Sequence, residues 1–373
     1  ATLDIEMEGK YKCYFSYLEQ LVMDNKVSME IIDQAVYRVL KMKKELGLFE
    51  NPYFDETLQD TVCSLPEHRE LARKAACSSI VMLKNNGVLP IGRMKKIVMI
   101  GSNANNKETC ISVWEAGAKT ENVVTFYQGM KNAGYSVSLM DEEDSKSKTG
   151  CEKFANKVKE ADLIIAVVGE ERYVHFGESG SRADIGLPGT QKEMVLKLSE
   201  LGKPLVTFIN SGRPLAFKEV NDVSDAVLFA AGGLGQEAGN ALADILSGKH
   251  NPDAKLTFTM PYSPGAVPSY YNHYNTGRPA QSDRQPFCTK YSDSSFAPLY
   301  PFGYGIGYSE FIYSNIRTDK EVYSNSEEIR VTADVRNDGR YSGFEIVQLY
   351  IRDLVSRPVR PVSELKGYKK VYL

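Results

Sequence analysis

Leu163-Ile164-Ile165-Ala166-Val167-Val168-Gly169 runs directly into Glu170-Glu171-Arg172-Tyr173-Val174-His175-Phe176-Gly177-Glu178-Ser179-Gly180-Ser181-Arg182-Ala183-Asp184. An unbroken apolar run this short, rich in Val and Ile and closed by glycine, suits a strand buried on both faces. Runs of the same texture recur at Ile97–Gly101, Tyr135–Met140, Leu205–Asn210, Ala226–Ala231 and Leu256–Met260. Helical periodicity occupies Glu67–Lys84, Val123–Ala133, Cys151–Glu160, Thr190–Leu201 and Gln236–Leu246. Repeated β-α units predict an α/β fold, a mostly parallel six-stranded sheet sandwiched by helices.

Toward the N-terminus, apolar residues recur at helical spacing over Tyr14–Leu21 and Ile31–Leu48, with Ser28 as an N-cap and Gly47 as a stop. Asn51-Pro52-Tyr53 then reads as a turn into a linker. Toward the C-terminus, residues 263–308 are rich in Pro, Gly, Ser, Asn and Tyr without a sustained period, which predicts a long ordered loop. Glu328–Asn337 and Phe344–Arg352 alternate apolar and polar residues about Asn337-Asp338-Gly339, as antiparallel strands of a β-sandwich do. The expected division is 1–62, 63–262, 263–308 and 309–373. The last segment is short of the ~100 residues of an immunoglobulin-like sandwich, so a partial domain is expected.

Composition excludes several classes of function. Hydrophobic residues at 42% and charged residues at 25% describe a globular protein and not a disordered one. The 45 basic and 48 acidic side chains nearly cancel and are interspersed, which argues against a nucleic-acid partner. No apolar run approaches the ~20 residues needed to cross a bilayer. Cys13, Cys63, Cys77, Cys110, Cys151 and Cys288 form no C-x-x-C pair, and His68, His175, His250 and His273 share no ligand spacing. Free thiols, no metal and no cofactor are expected, with Cys77 packing as a small apolar residue.

Two stretches invite chemistry. The loop at 169–184 leaves the carboxyl end of a parallel strand, the edge at which open α/β sheets place ligands, and it carries acids, arginines, an imidazole and aromatics among glycines. Gly232-Gly233-Leu234-Gly235-Gln236-Glu237-Ala238-Gly239 precedes a helix as a phosphate cradle would. Its spacing and its late place in the sheet favour close packing of a helix over a nucleotide site. No G-x-S-x-G elbow follows a strand, so Ser-His-Asp hydrolase chemistry is not expected.

These residues carry a resemblance. Gly177-Glu178-Ser179-Gly180-Ser181-Arg182-Ala183-Asp184, Gly202-Lys203-Pro204, Ser211-Gly212-Arg213-Pro214 and Tyr271-Asn272-His273-Tyr274-Asn275-Thr276-Gly277-Arg278-Pro279 resemble the α/β sandwich domain of glycoside hydrolase family 3. Asp4-Ile5-Glu6-Met7 and Leu46-Gly47-Leu48-Phe49 look like the end of that family's N-terminal barrel, and Gly343–Tyr350 with Glu364–Tyr368 like its fibronectin-type-III-like domain. The bacterial multi-domain β-glucosidase branch matches best.

The resemblance implies retaining hydrolysis of terminal β-D-glucosyl residues by two carboxylates, with Glu178 as general acid/base. It implies substrate contacts at His175, Arg182 and Tyr271. Glu170 and Glu171 are the rivals of Glu178 for the acid/base role, but their place at the strand end favours structural hydrogen bonds, and Arg182 and Asp184 are expected to pair and hold the loop. The family's aspartate nucleophile would lie upstream of Ala1. A barrel domain, from the same parent chain or a second one, is therefore expected as partner, alongside a glucoside or oligosaccharide substrate. Homo-oligomerisation is left open, and so is compartment: many relatives are periplasmic or secreted, and a cytoplasmic location is left open too. The competing expectations are a non-catalytic carbohydrate-binding module and a β-xylosidase or other exo-glycosidase of the same family.

Overall fold

The computed structural model describes residues 3–7, 9–62, 65–92, 95–111, 113–115, 117–140, 156–177, 180–324 and 326–373. The chain separates into two compact units, Ala1–Leu65 and Pro66–Leu373.

The first unit contains helices Cys13–Met23, Met29–Glu45 and Leu58–Val62. Asp4 accepts both arms of the Arg38 guanidinium at 2.7 and 2.6 Å, tying the N-terminal strand of chain to the second helix. None of its described residues is buried, and apolar side chains such as Phe15, Val36 and Leu40 stand exposed.

The second unit is built on six strands: β1 (Ile80–Asn85), β2 (Lys96–Ile100), β3 (Ser136–Met140), β4 (Leu163–Gly169), β5 (Leu205–Asn210) and β6 (Ala226–Ala230). Their order is β1-β6-β5-β4-β2-β3, parallel throughout except for β1, which runs antiparallel to β6. Strand alternation feeds two separate cores. Ile97, Met99, Ile165, Val167 and Phe208 face helices Pro66–Cys77, Phe126–Asn132 and Ala238–Leu246. Val98, Ile100, Ile164, Val168 and Ile209 face a helical turn at 156–160 and helices Gln191–Ser199 and Lys218–Val223. A sheet covered on both faces requires strands apolar on both faces, hence their continuous runs.

The six-stranded architecture stands, but one strand differs from expectation. Residues 256–260 form no strand; only Met260 bridges to Tyr300. The sixth strand is β1, in the stretch read as the end of helix Glu67–Lys84. That helix stops at Cys77, and Ile80-Val81-Met82-Leu83 then buries all four side chains. Four consecutive apolar residues satisfy either period, so the helical pattern ran on into them unnoticed.

Of the glycines at 232–239, Gly232, Gly233 and Gly235 take the positive φ of the turn, and Gly239 serves packing. A Cβ on Gly239 would overlap the Thr125 carbonyl oxygen, and one on Gly129 the backbone of Gly239 and Asn240, so two helices meet backbone to backbone. Cys77 and Cys110 are buried thiols, and burial pushes each up to about 12.

Beyond the loop at 261–308 lie β7 (Phe311–Thr318), β8 (Val331–Asn337), β9 (Phe344–Ile351) and β10 (Glu364–Tyr372). β7 pairs with β8 and β9 with β10, so Asn337-Asp338-Gly339 carries the chain from one sheet to the other and does not close a hairpin. Lys370 on β10 reaches Asp253 at 2.8 Å and Glu345 on β9 reaches Lys255 at 3.1 Å, fastening these strands to the α/β region.

Candidate active site

In the sheet order, the chain passes from β2 to β3 on one side and then returns to place β4 on the other. The crevice beyond the carboxyl ends of β2 and β4 is thus a topological switch point, where loops diverge and leave room for a ligand. The loop after β4 is the acid-rich one, and the loop after β2 brings Trp114. The strand order, which no single-sequence pattern gives, is what makes these two loops neighbours.

At the base of the crevice is Glu170, the first residue past β4, with no solvent exposure. Its carboxylate accepts from Arg182 Nη1 at 2.9 Å, from Ser211 Oγ at 3.0 Å and from Arg213 Nε at 3.0 and 3.2 Å. A buried carboxylate persists only when paired and hydrogen-bonded, and here two guanidiniums and a hydroxyl meet that demand. Arg213 extends the network: its Nη2 donates to the His175 carbonyl at 2.8 Å and also to the Gly180 carbonyl. Arg182 donates from Nη2 to the Gly186 carbonyl at 3.1 Å.

The loop is also folded from within. His175 N–H donates to the Glu171 carbonyl at 2.9 Å, and Glu171 N–H donates to His175 Nδ1 at 3.1 Å. Nδ1 therefore acts as acceptor, leaving the proton of the neutral ring on Nε2. Tyr173 sits in the left-handed region at φ 59°, a conformation costly for a tyrosine and held by its neighbours. Its N–H donates to the Phe176 carbonyl at 3.0 Å, and the Arg172 guanidinium lies 5.0 Å from its ring centre. Arg172 pairs in turn with Glu108 and Glu115 from the loop after β2. Glu115 is held below the usual carboxylate range, chiefly by the Ala118 backbone N–H and then by Arg172. Tyr173 hydroxyl donates to the Val113 carbonyl at 3.4 Å, beside Trp114; both aromatic side chains are mostly exposed.

The expected site residues are therefore distributed unevenly. Glu178 lies outside the described residues. His175 and Arg182 both belong to the Glu170 network. The expected Arg182–Asp184 pair does not form: Arg182 turns to the buried Glu170, which has the greater need of a cation, and Asp184 Oδ1 accepts the Gly186 N–H at 2.7 Å. Glu170 hydrogen-bonds at the strand end as expected. Tyr271 is elsewhere, stacked on Phe302 at 4.3 Å and edge-on to Tyr350 of β9 at 5.9 Å. It lines a cavity of about 720 Å³ with Thr259, Tyr270, His273 and Tyr291. Arg213 and Trp114 were missed. Arg213 is 43 residues from Glu170 in sequence, whereas Trp114, the single tryptophan of the chain, carried a compositional signal.

Residues 80–308 match the glycosyl hydrolase family 3 C-terminal domain. The chain belongs to glycosyl hydrolase family 3. Residues 345–373 of this family 3 chain match a fibronectin type III-like domain. It is 32% identical to a periplasmic β-glucosidase of Salmonella typhimurium over all of its own length and 52% of that protein. It is also 32% identical to a β-xylosidase of Formosa agariphila, over 95% of this chain and 50% of that one. The solved β-glucosidase of Listeria innocua in complex with isofagomine superposes with a TM-score of 0.88 at 33% identity, covering 99% of this chain and 52% of that one. The family 3 chain thus spans about half the length of the relatives it matches.

Proposed function

We propose that this chain supplies the general acid/base of a retaining β-glucosidase, with Glu178 in that role. The reading is carried by one observation: the loop that contains Glu178 leaves β4 at the switch point, and its two stems are tied to a buried Glu170–Arg213 pair. Likeness to β-glucosidases over the full chain supports the same reading. A general acid must stay protonated near neutral pH and then act as a base, contributing typically ~10² to 10⁴ in rate.

We assign the nucleophile to a barrel domain, the half of these relatives that this chain does not match. Retaining chemistry sets the two carboxyl groups about 5 to 5.5 Å apart across the glycosidic bond, so one carboxylate alone does not suffice. The uncovered apolar faces of helices Cys13–Met23 and Met29–Glu45 are surfaces such a barrel would bury. We propose the division 1–62, 63–262, 263–308 and 309–373 as barrel end, α/β domain, loop and partial sandwich. Trp114 and Tyr173, both mostly exposed, are aromatic side chains of the loops after β2 and β4 against which a sugar or aryl leaving group would pack. Of the proposed substrate contacts, His175 would act through Nε2 and Tyr271 within its cavity, while Arg182 would act through its hold on Glu170.

The test is hydrolysis of an aryl β-glucoside by the enzyme joining this chain to its barrel. Glu178→Ala is expected to lower kcat/KM by about 10² to 10⁴, with azide restoring part of the turnover. Undiminished activity contradicts the assignment. The β-xylosidase relative motivates a second reading, in which aryl β-xylosides are the preferred substrates. The ratio of kcat/KM for the two sugars separates the readings.

A further inference from the structure

We infer that Arg213 is a positioning residue for the general acid/base, an inference that rests on the reading of Glu178 above. Arg213 follows β5, the strand next to β4, whose loop it serves. One guanidinium donates to the His175 carbonyl and to the Gly180 carbonyl, while its Nε lies on Glu170. These two carbonyls flank residues 176–179, so both stems of that segment end on the same rigid group. Its own backbone is fixed as well: Ser211 Oγ, which donates to Glu170, accepts the Arg213 N–H at 3.2 Å. Next to it, Gly212 lies under Phe176 so closely that a Cβ there would overlap the ring. Phe176 is buried in that seat.

The chemistry requires arginine. Guanidinium presents five donors in a planar fork and remains charged, so it can hold a carboxylate on one side and two carbonyls on another. A lysine ammonium is a single point of donation on a flexible stem and cannot span the three acceptors in that plane. Catalytic groups act within about 0.5 Å of their productive geometry. Loosening the stems therefore lowers proton transfer to the leaving group before it lowers anything else.

Leaving-group dependence isolates this effect. An aryl glucoside with a weakly acidic phenol needs the acid, whereas a dinitrophenyl glucoside departs without protonation. In the enzyme joined to its barrel, Arg213→Lys is expected to lower kcat/KM for the phenyl glucoside by about 10- to 100-fold. The dinitrophenyl glucoside is expected to stay within about 3-fold in the glycosylation step, and the alkaline limb of the pH–rate profile to move. Gly212→Ala, which displaces Phe176 and keeps every charge, is expected to show the same split should the lysine variant fold poorly. Equal losses on both substrates would mean a purely structural role and overturn the inference. A split for Glu178→Ala with none for Arg213→Lys or Gly212→Ala also overturns it and leaves the acid/base assignment standing. No split for Glu178→Ala overturns the assignment itself.

Discussion

Two arginine–carboxylate clusters in the α/β region use the same chemistry to different ends. In the first, Arg73 grips Asp244 in a two-pronged pair at 2.5 and 2.6 Å and Arg69 reaches Glu237 at 2.5 Å, joining helices Pro66–Cys77 and Ala238–Leu246. Those helices are already registered by Ala76, Cys77, Ala241, Leu242 and Ile245 in the core, so the charges orient what apolar packing holds. In the second, Arg182 and Arg213 meet Glu170 and hold a loop whose only buried apolar anchor among the described residues 171–184 is Phe176. Polar contacts and that one aromatic anchor set the shape there. A cluster that orients regular elements should be removable at a modest cost, and one that substitutes for a core should not.

The strongest way to separate the two is Glu170→Ala, which leaves two guanidiniums around an empty site. A loss of about 3–5 kcal/mol by denaturant unfolding is expected, the range for stripping one member from a buried ion cluster. Arg73→Met comes next: Asp244 keeps Lys249 at 3.4 Å, and about 1–3 kcal/mol is expected by the same measurement. A smaller effect is expected at Asp253. Burial there raises the carboxyl, but His250 and Lys370 outweigh it and hold the group below its ordinary value. Such a group contributes stability in full above the unfolded value near ~3.9 and loses it as pH falls through the lower folded value. Asp253→Asn is therefore expected to cost about 1–2 kcal/mol at pH 7, and its melting temperature should converge with the parent's as pH falls through the lowered folded value of Asp253. Least of all, Lys74→Ala removes only an exposed pair with Glu70, one turn apart on the helix, and should change stability by less than about 0.5 kcal/mol.

Much of this was legible in the chain itself because burial on two faces writes itself as continuous apolar runs, as in Leu163–Gly169 and Leu205–Asn210. The error at Ile80–Leu83 arose where a helix and a buried strand adjoin with no proline or glycine between them, only Ser78-Ser79. The loop after β4 was found by its composition and its place after a strand. Its internal wiring was not, because Arg213 reaches it through the β4–β5 adjacency and carries no local signal. The Arg182–Asp184 pairing failed for the same reason. Proximity in sequence suggested it, while a fully buried carboxylate twelve residues back made the stronger claim on the cation.

Amide hydrogen exchange across residues 171–186 tests the contrast most directly, since it needs only this chain and reads the loop itself. Arg213→Lys is expected to raise exchange there by at least about tenfold while leaving helices Pro66–Cys77 and Ala238–Leu246 protected, a local opening below the global one. Arg73→Lys is expected to leave 171–186 unchanged. If Arg213→Lys alters nothing in that segment, or if both variants raise exchange uniformly across the sheet, Arg213 does not hold the loop.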